Sequence, residues 1–314
     1  MSIMGEDKLL RFDDLGLLMD KVSYEYVKAN STLDTNTDVV TPYNVAKTMV
    51  ESLCTWTKGE IFTDPNAKFL DIYCKSGIYL GLIYNELMLG LIDVIPDTVK
   101  RSEHIINNML YGACPCELSA LISRKTAFGD MLTPGNIQVI NNYMGLSTTE
   151  RALNIKKGFN GMKFDVVIGN PPYNRGMDID FVNLGYELST KYCCMITPAK
   201  WQTGVTDSSL ASKSINYEQF REKIVPHMSH VVFYPNSADV FDIRGNTGIS
   251  YFLVDKDIHD KCSVENRFSS FPEIYNGTES RTLLDGITLC NFGKRVIDCI
   301  DYSCLLYTSD AADD

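Results

Sequence analysis

The chain has 314 residues, 45% of them hydrophobic and 22% charged, and carries a formal net charge of -11. That length suits one large α/β domain with a small appendage. The acidic balance argues against a broad phosphate-binding surface, so any nucleic-acid contact must be local or supplied by another module.

In chain order, Leu9 to Lys28 read as a helix with Leu9, Phe12, Leu15, Leu18 and Val22 on one face, and the polar stretch Asn30 to Asp38 reads as a linker. From there, β-type runs at Phe69 to Tyr73, Leu110 to Ala113, Phe164 to Ile168 and Tyr192 to Ile196 alternate with helical segments. Those segments are Ile78 to Val94, Glu117 to Arg124 and Asp180 to Thr190. The rhythm predicts a doubly wound α/β sheet. The runs FDVVIG and YCCMIT lack polar alternation, as strands buried on both faces do. His230 to Pro235 and Gly248 to Lys256 read as later strands, antiparallel to each other. The last segment, Cys304 to Asp314, resembles a translated sequencing-adapter tail, which predicts that the natural chain is cut near Ser303.

The most apolar stretch, Tyr79 to Ile95, is interrupted by Asn85, Glu86 and Asp93 and falls short of a membrane span. The first residues lack the basic, apolar, small-residue order of a secretory signal. The expected address is the cytoplasm, with no membrane partner. Ten cysteines are scattered along the chain, several inside apolar runs, and read as reduced buried thiols. Cys114 and Cys116 form a C-x-C pair with no second pair at zinc spacing, so no metal is expected.

The strongest chemical signal is a buried strand, Asp165 to Gly169, running straight into Asn170-Pro171-Pro172-Tyr173. Two prolines fix φ and remove two backbone donors, leaving carbonyls that only accept. Such a turn suits an amino group. The exocyclic nitrogen of adenine is a poor nucleophile because its lone pair is delocalised into the ring. Acceptors on both of its N–H groups, the Asn170 side-chain carbonyl and the Pro171 backbone carbonyl, would drive it towards a tetrahedral state. Tyr173 would stack on the base once it leaves the duplex.

With this motif the chain resembles the gamma group of N6-adenine DNA methyltransferases that accompany restriction systems, over about Asp38 to Lys256, with motifs in the family's order. Thr41-Pro42-Tyr43-Asn44-Val45-Ala46 is similar to the family's T-P-x-x-[IV]-[AV] segment, which lies against the cofactor's methionine part. Phe69 to Leu80 resembles F-L-D-P-x-C-G-S-G-x-F-L, with Asp71, Cys74 and Gly77 at matching positions. Lys75 replaces the first glycine, a costly change wherever that position needs a positive φ. After the strand Leu110 to Ala113, Cys114 stands where the family's ribose-binding acid is first sought, and Glu117 is the substitute to consider. Phe128-Gly129-Asp130 resembles the G-D segment after the third strand, whose Asp accepts from the cofactor's adenine. Met195 to Trp201 resembles the fifth-strand end that shapes the pocket wall. Phe241 resembles the aromatic that faces the tyrosine across the flipped base. Lys163, Arg175, Lys200 and Arg244 are candidates for phosphate contacts.

The resemblance implies a Rossmann-like methyltransferase with a mostly parallel, seven-stranded sheet. It implies S-adenosyl-L-methionine as cofactor and duplex DNA with a flipped adenine as substrate, with a restriction or specificity module lying outside this chain. Competing expectations are N-methylation of RNA or of a protein glutamine, and an inert cofactor-binding fragment. The division expected is 1–37 for the N-terminal helix and linker, 38–256 for the catalytic domain, 257–303 for the start of an incomplete C-terminal region, and 304–314 for the tail.

Overall fold

The computed structural model describes residues 41–130, 133, 135–140, 145–173, 176–202, 215–241 and 248–283. The helix expected at Leu9 to Lys28, the linker after it, Arg175, Arg244 and the tail at 304–314 lie outside the described residues.

The chain enters through helix α1 (Tyr43–Trp56), which follows Pro42 and buries Ala46, Met49, Val50 and Leu53. That spacing puts one apolar stripe on the core. The short helix α2 (Glu60–Thr63) leads to strand β1 (Phe69–Asp71). Helix α3 (Ile78–Gly90) is apolar nearly all round and almost wholly buried. The helical run expected to reach Val94 therefore ends earlier, and a second helix, α4 (Thr98–Asn108), starts at Asp97, whose carboxylate accepts from the Lys100 N–H. Strand β2 (Leu110–Cys114), helix α5 (Glu117–Phe128), strand β3 (Asn136–Val139) and helix α6 (Thr148–Gly158) follow. Then come β4 (Phe164–Gly169), α7 (Met177–Leu188) and β5 (Ser189–Pro198). After helix α8 (Tyr217–Lys223) the chain forms β6 (Met228–Tyr234), β7 (Ile249–Val254), β8 (Cys262–Asn266), a single helical turn α9 (Pro272–Tyr275) and β9 (Gly277–Arg281).

All nine strands make one sheet in the order β3-β2-β1-β4-β5-β7-β6-β8-β9. The five strands β1 to β5 run parallel, and β7 is antiparallel to both β5 and β6. The doubly wound, mostly parallel architecture read from the sequence is present, but with nine strands rather than seven. The extra two arise because the chain beyond Lys256 continues the sheet: β8 pairs parallel with β6, and β9 returns antiparallel on β8. From Val166 on, successive residues of β4 point to opposite sides: Val166 and Ile168 join the core against α1, α3 and α5, while Val167 joins the core against α6 and α7. Phe164 also joins the second core, across a register shift between it and Val166. The apolar run Val166 to Ile168 therefore packs on both faces.

This strand order has a topological switch point. From β1 the chain moves outward to β2 and β3, then returns to lay β4 on the other side of β1. Crossovers thus leave β1 and β4 in opposite directions, opening a crevice above their carboxyl ends, where ligands bind in open α/β sheets.

Candidate active site

Asp71 ends β1 and pairs in register with Ile168 of β4, so Asn170 lies two residues further on at the same edge. The approach is close: a Cβ added at Gly169 would come within 3.6 Å of Asp71 Oδ1. A cleft opens here, lined by Thr41, Asp71, Tyr73, Lys75, Tyr79 and Asn170, with Ser76 and Ile78. Three segments distant in sequence thus meet at the switch point.

The Asn170 side chain is 4% exposed, and its Nδ2 donates to the Thr41 hydroxyl at 3.0 Å. Tyr79 donates to the same hydroxyl at 3.5 Å and to Met49 Sδ at 3.2 Å. Thr41, buried at the entry to α1, therefore fixes which way round the Asn170 amide stands, with Oδ1 as its remaining, acceptor end. Pro42 caps α1, and its carbonyl accepts from the Ala46 N–H. Pro171 and Pro172 are buried behind Asn170.

Burial pushes the Asp71 carboxyl up to about 7, against the opposing pull of hydrogen bonds from the Cys74 thiol and the Tyr73 N–H and of the Lys75 charge. A carboxylate so placed favours a cationic guest. Cys74 is not among the residues lining the cleft, and its Sγ lies 3.2 Å from the Ser123 hydroxyl. Gly77 carries the turn with φ of 71°, and a Cβ there would strike the Ser123 backbone oxygen at 2.6 Å. Among the described residues other than glycine, only Lys58 and Asn160 have positive φ. Lys75 therefore sits in ordinary backbone space, and the glycine it replaces is not needed for conformation.

Tyr173 and Phe241 lie side by side, with ring centroids 6.3 Å apart at 65°. A base stacked between two rings needs them roughly parallel and about 7 Å apart, twice the carbon contact distance. The pair is edge-on instead, so one ring must swing for a base to enter. Phe241 is 1% exposed, while the partly buried Tyr173 donates to the Ile196 carbonyl at 3.5 Å. Tyr173 is the freer of the two.

Other expected residues lie apart from the cleft. Asp130 follows the last turn of α5 and precedes β3, so it stands at the amino edge of the sheet, exposed, and accepts from the Thr133 hydroxyl at 2.9 Å. The third strand is the short, half-polar β3 further on, which explains the displacement. Glu117 is exposed in the first turn of α5, and Cys114 is buried. Lys163 sits at the amino end of β4, away from the crevice, whereas Lys200 is exposed in the turn after β5 at the carboxyl edge. Sequence reasoning gave no binding role to Tyr73, Ser76 or Tyr79; the Phe69 to Leu80 motif was their signal.

A family model described as Eco57I restriction-modification methylase matches residues 108–180, which run from β2 through the Asn170 turn into α7. A Mycoplasma pneumoniae protein described as an uncharacterized adenine-specific methylase is 24% identical, over 84% of this chain and 76% of its own length. By these matches the chain is similar to restriction-modification and adenine-specific methylases. The fold is shared with solved methyltransferase subunits of restriction-modification systems. The methyltransferase subunit of a type I restriction-modification system from Streptococcus thermophilus superposes with a TM-score of 0.51 at 13% identity, over 98% of this chain. The EcoKI M protein gives 0.53 at 12% identity over 82%. The chain spans 59% of the length of each of these two methylase subunits.

Proposed function

We propose that this chain carries the catalytic part of an S-adenosylmethionine-dependent DNA methyltransferase that modifies the N6 amino group of adenine within a restriction-modification system. The observation that carries the reading is the oriented amide of Asn170. Its nitrogen donates to Thr41, and its carbonyl oxygen is an acceptor suited to a substrate N–H. The Pro171 backbone carbonyl offers a second acceptor, and proline at 171 and 172 keeps competing N–H donors out of the turn. Two acceptors gripping one amino group pull its lone pair out of conjugation and orient it for attack, which is positioning and electrostatics without a covalent intermediate.

The residues at β1 fit the cofactor. Its nucleoside and cationic amino-acid portions suit a crevice at the switch point with a buried carboxylate, Asp71, on its wall. When bound, S-adenosylmethionine supplies an electrophilic methyl group on a sulfonium. Asp71 holds a cation, Gly77 lets the backbone of the β1 turn pass close to Ser123, and Tyr173 receives the extruded base by stacking. The description of the Mycoplasma relative as an adenine-specific methylase, and a type ISP relative solved bound to DNA, favour adenine in DNA as acceptor. Duplex DNA and a separate specificity or restriction module are the partners this reading implies.

The test is expression of the full chain in a host without adenine methylation, followed by mass spectrometry of its nucleosides. N6-methyladenine appears in DNA with the natural sequence, and Asn170→Ala lowers it about 100-fold or more while S-adenosylhomocysteine still binds. Methylated RNA or glutamine with unmodified DNA would replace the acceptor in this reading. Full modification by Asn170→Ala would remove its chemical basis.

A further inference from the structure

We infer that Lys75 anchors the α-carboxylate at the methionine end of the cofactor. The inference rests on the reading that the cleft beside β1 holds S-adenosylmethionine. Lys75 lines that cleft together with Asp71 and Ser76, only 6% exposed, with its Nζ 5.0 Å above the Tyr73 ring. An ammonium taken this far out of water is costly unless negative charge meets it. The backbone gives no reason for or against lysine at this position, because its φ is not positive. What lysine adds is charge.

Asp71 and Lys75 influence each other electrostatically across the cleft wall, one carboxylate and one ammonium. A free amino-acid group presents the complementary pair, an ammonium and a carboxylate two bonds apart. Seated in the cleft, it completes an alternating arrangement of four charges, with its ammonium on Asp71 and its carboxylate on Lys75. Each of the two buried protein charges then gains a second opposite charge beside the one it already feels, which makes burying them more tolerable. A glycine at this position would leave the ligand's carboxylate to water or to backbone N–H groups. Discrimination between cofactors with and without that carboxylate is therefore written into this one side chain.

The test is titration calorimetry on the full chain with S-adenosylhomocysteine, its decarboxylated analogue and 5′-methylthioadenosine. The unaltered protein binds S-adenosylhomocysteine roughly 10- to 100-fold more tightly than the decarboxylated analogue, the range expected for a charge-assisted hydrogen bond. Lys75→Met brings that ratio to about one without weakening the decarboxylated analogue, and Lys75→Arg retains most of it. A ratio near one in the unaltered protein overturns the inference whether or not Lys75→Met folds, and so does a ratio that survives Lys75→Met. Binding of none of the three nucleosides by the unaltered protein removes the cofactor reading beneath it, an outcome distinct from tight binding without discrimination.

Discussion

The hydroxyl of Thr41 and the side-chain amide of Asn170, 129 positions apart in the chain, meet at 3.0 Å in the buried crevice between β1 and β4. Because the hydroxyl takes the amide N–H, it decides which end of Asn170 faces the substrate. Thr41→Val removes the acceptor while keeping the shape, and is expected to lower kcat for methyl transfer about tenfold, the worth of one well-placed hydrogen bond. Thr41→Ser keeps the hydroxyl and should stay within about twofold of the natural enzyme. Equal rates for the valine and serine variants would show that Asn170 is oriented by other means.

Tyr173 and Phe241 form one aromatic pair, yet their burial predicts different losses. Tyr173→Ala removes a stacking surface and should weaken binding of DNA with an unpaired target adenine by about 1–3 kcal/mol. Phe241, 1% exposed, is a core side chain, and Phe241→Ala should cost about 3–5 kcal/mol of stability. Fluorescence binding to such a duplex and urea denaturation, run on both variants, separate the two effects.

Asp71 predicts a pH dependence of stability. Its folded-state pKa is raised from 3.8 to about 7, so between those values the folded protein holds a proton that the unfolded chain releases. Its contribution is fully present below about pH 4 and is lost as pH rises through about 7. Asp71→Asn cannot titrate. The stability difference between the natural protein and this variant should therefore shift against the natural protein from pH 5 to pH 8; urea melts giving a constant difference would contradict the placement of the carboxyl.

Gly77 carries the left-handed turn that lets α3 start under the cleft, with the Ser123 backbone where a side chain would be. Gly77→Ala should cost about 1–3 kcal/mol from backbone strain alone, and more from the displacement of α5. Lys75→Ala, two residues earlier, carries no such penalty. A thermal scan of the two variants should rank them in that order.

Arg151 and Asp180 bury an ion pair between α6 and α7, with Nη1 3.4 Å from Oδ2 and the guanidinium 4.7 Å from the Phe181 ring centroid. Replacing one partner leaves the other charged and buried. Arg151→Met should cost about 3–5 kcal/mol, whereas the double change with Asp180→Leu should recover much of that loss. A double-mutant cycle by chemical denaturation measures the coupling.

The elements most legible in the sequence were those whose local pattern matches their burial. FDVVIG is apolar beyond Asp165 because β4 is covered on both faces there, and Asn-Pro-Pro-Tyr marks its end without ambiguity. Strand β3 was not legible: Asn136 and Gln138 interrupt its apolar pattern, since only β2 flanks it in the sheet. Missing that strand misplaced Asp130, which looked like a residue after a third strand and in fact precedes it. Strands β8 and β9 are short, and they depend on distant partners, β8 on β6 and β9 on β8, so nothing local announces that they prolong the sheet. At the site, Asp71 and Asn170 could be named from their motifs. The bond from Asn170 to Thr41 could not, because contacts closed over such a span belong to the fold and leave no trace in spacing.

The switch point between β1 and β4 also divides labour. Everything on one bank, Asp71, Lys75 and Gly77, comes from the turn after β1, while the other bank, Asn170 to Tyr173 with Ile196 and Phe241, comes from β4 and the strands beyond it. On the proposed function, acceptor preference is redrawn by altering the second bank while leaving the first untouched. Chimeras joined between β3 and β4 are the natural place to exploit that separation, with Thr41 as the residue each half must still share.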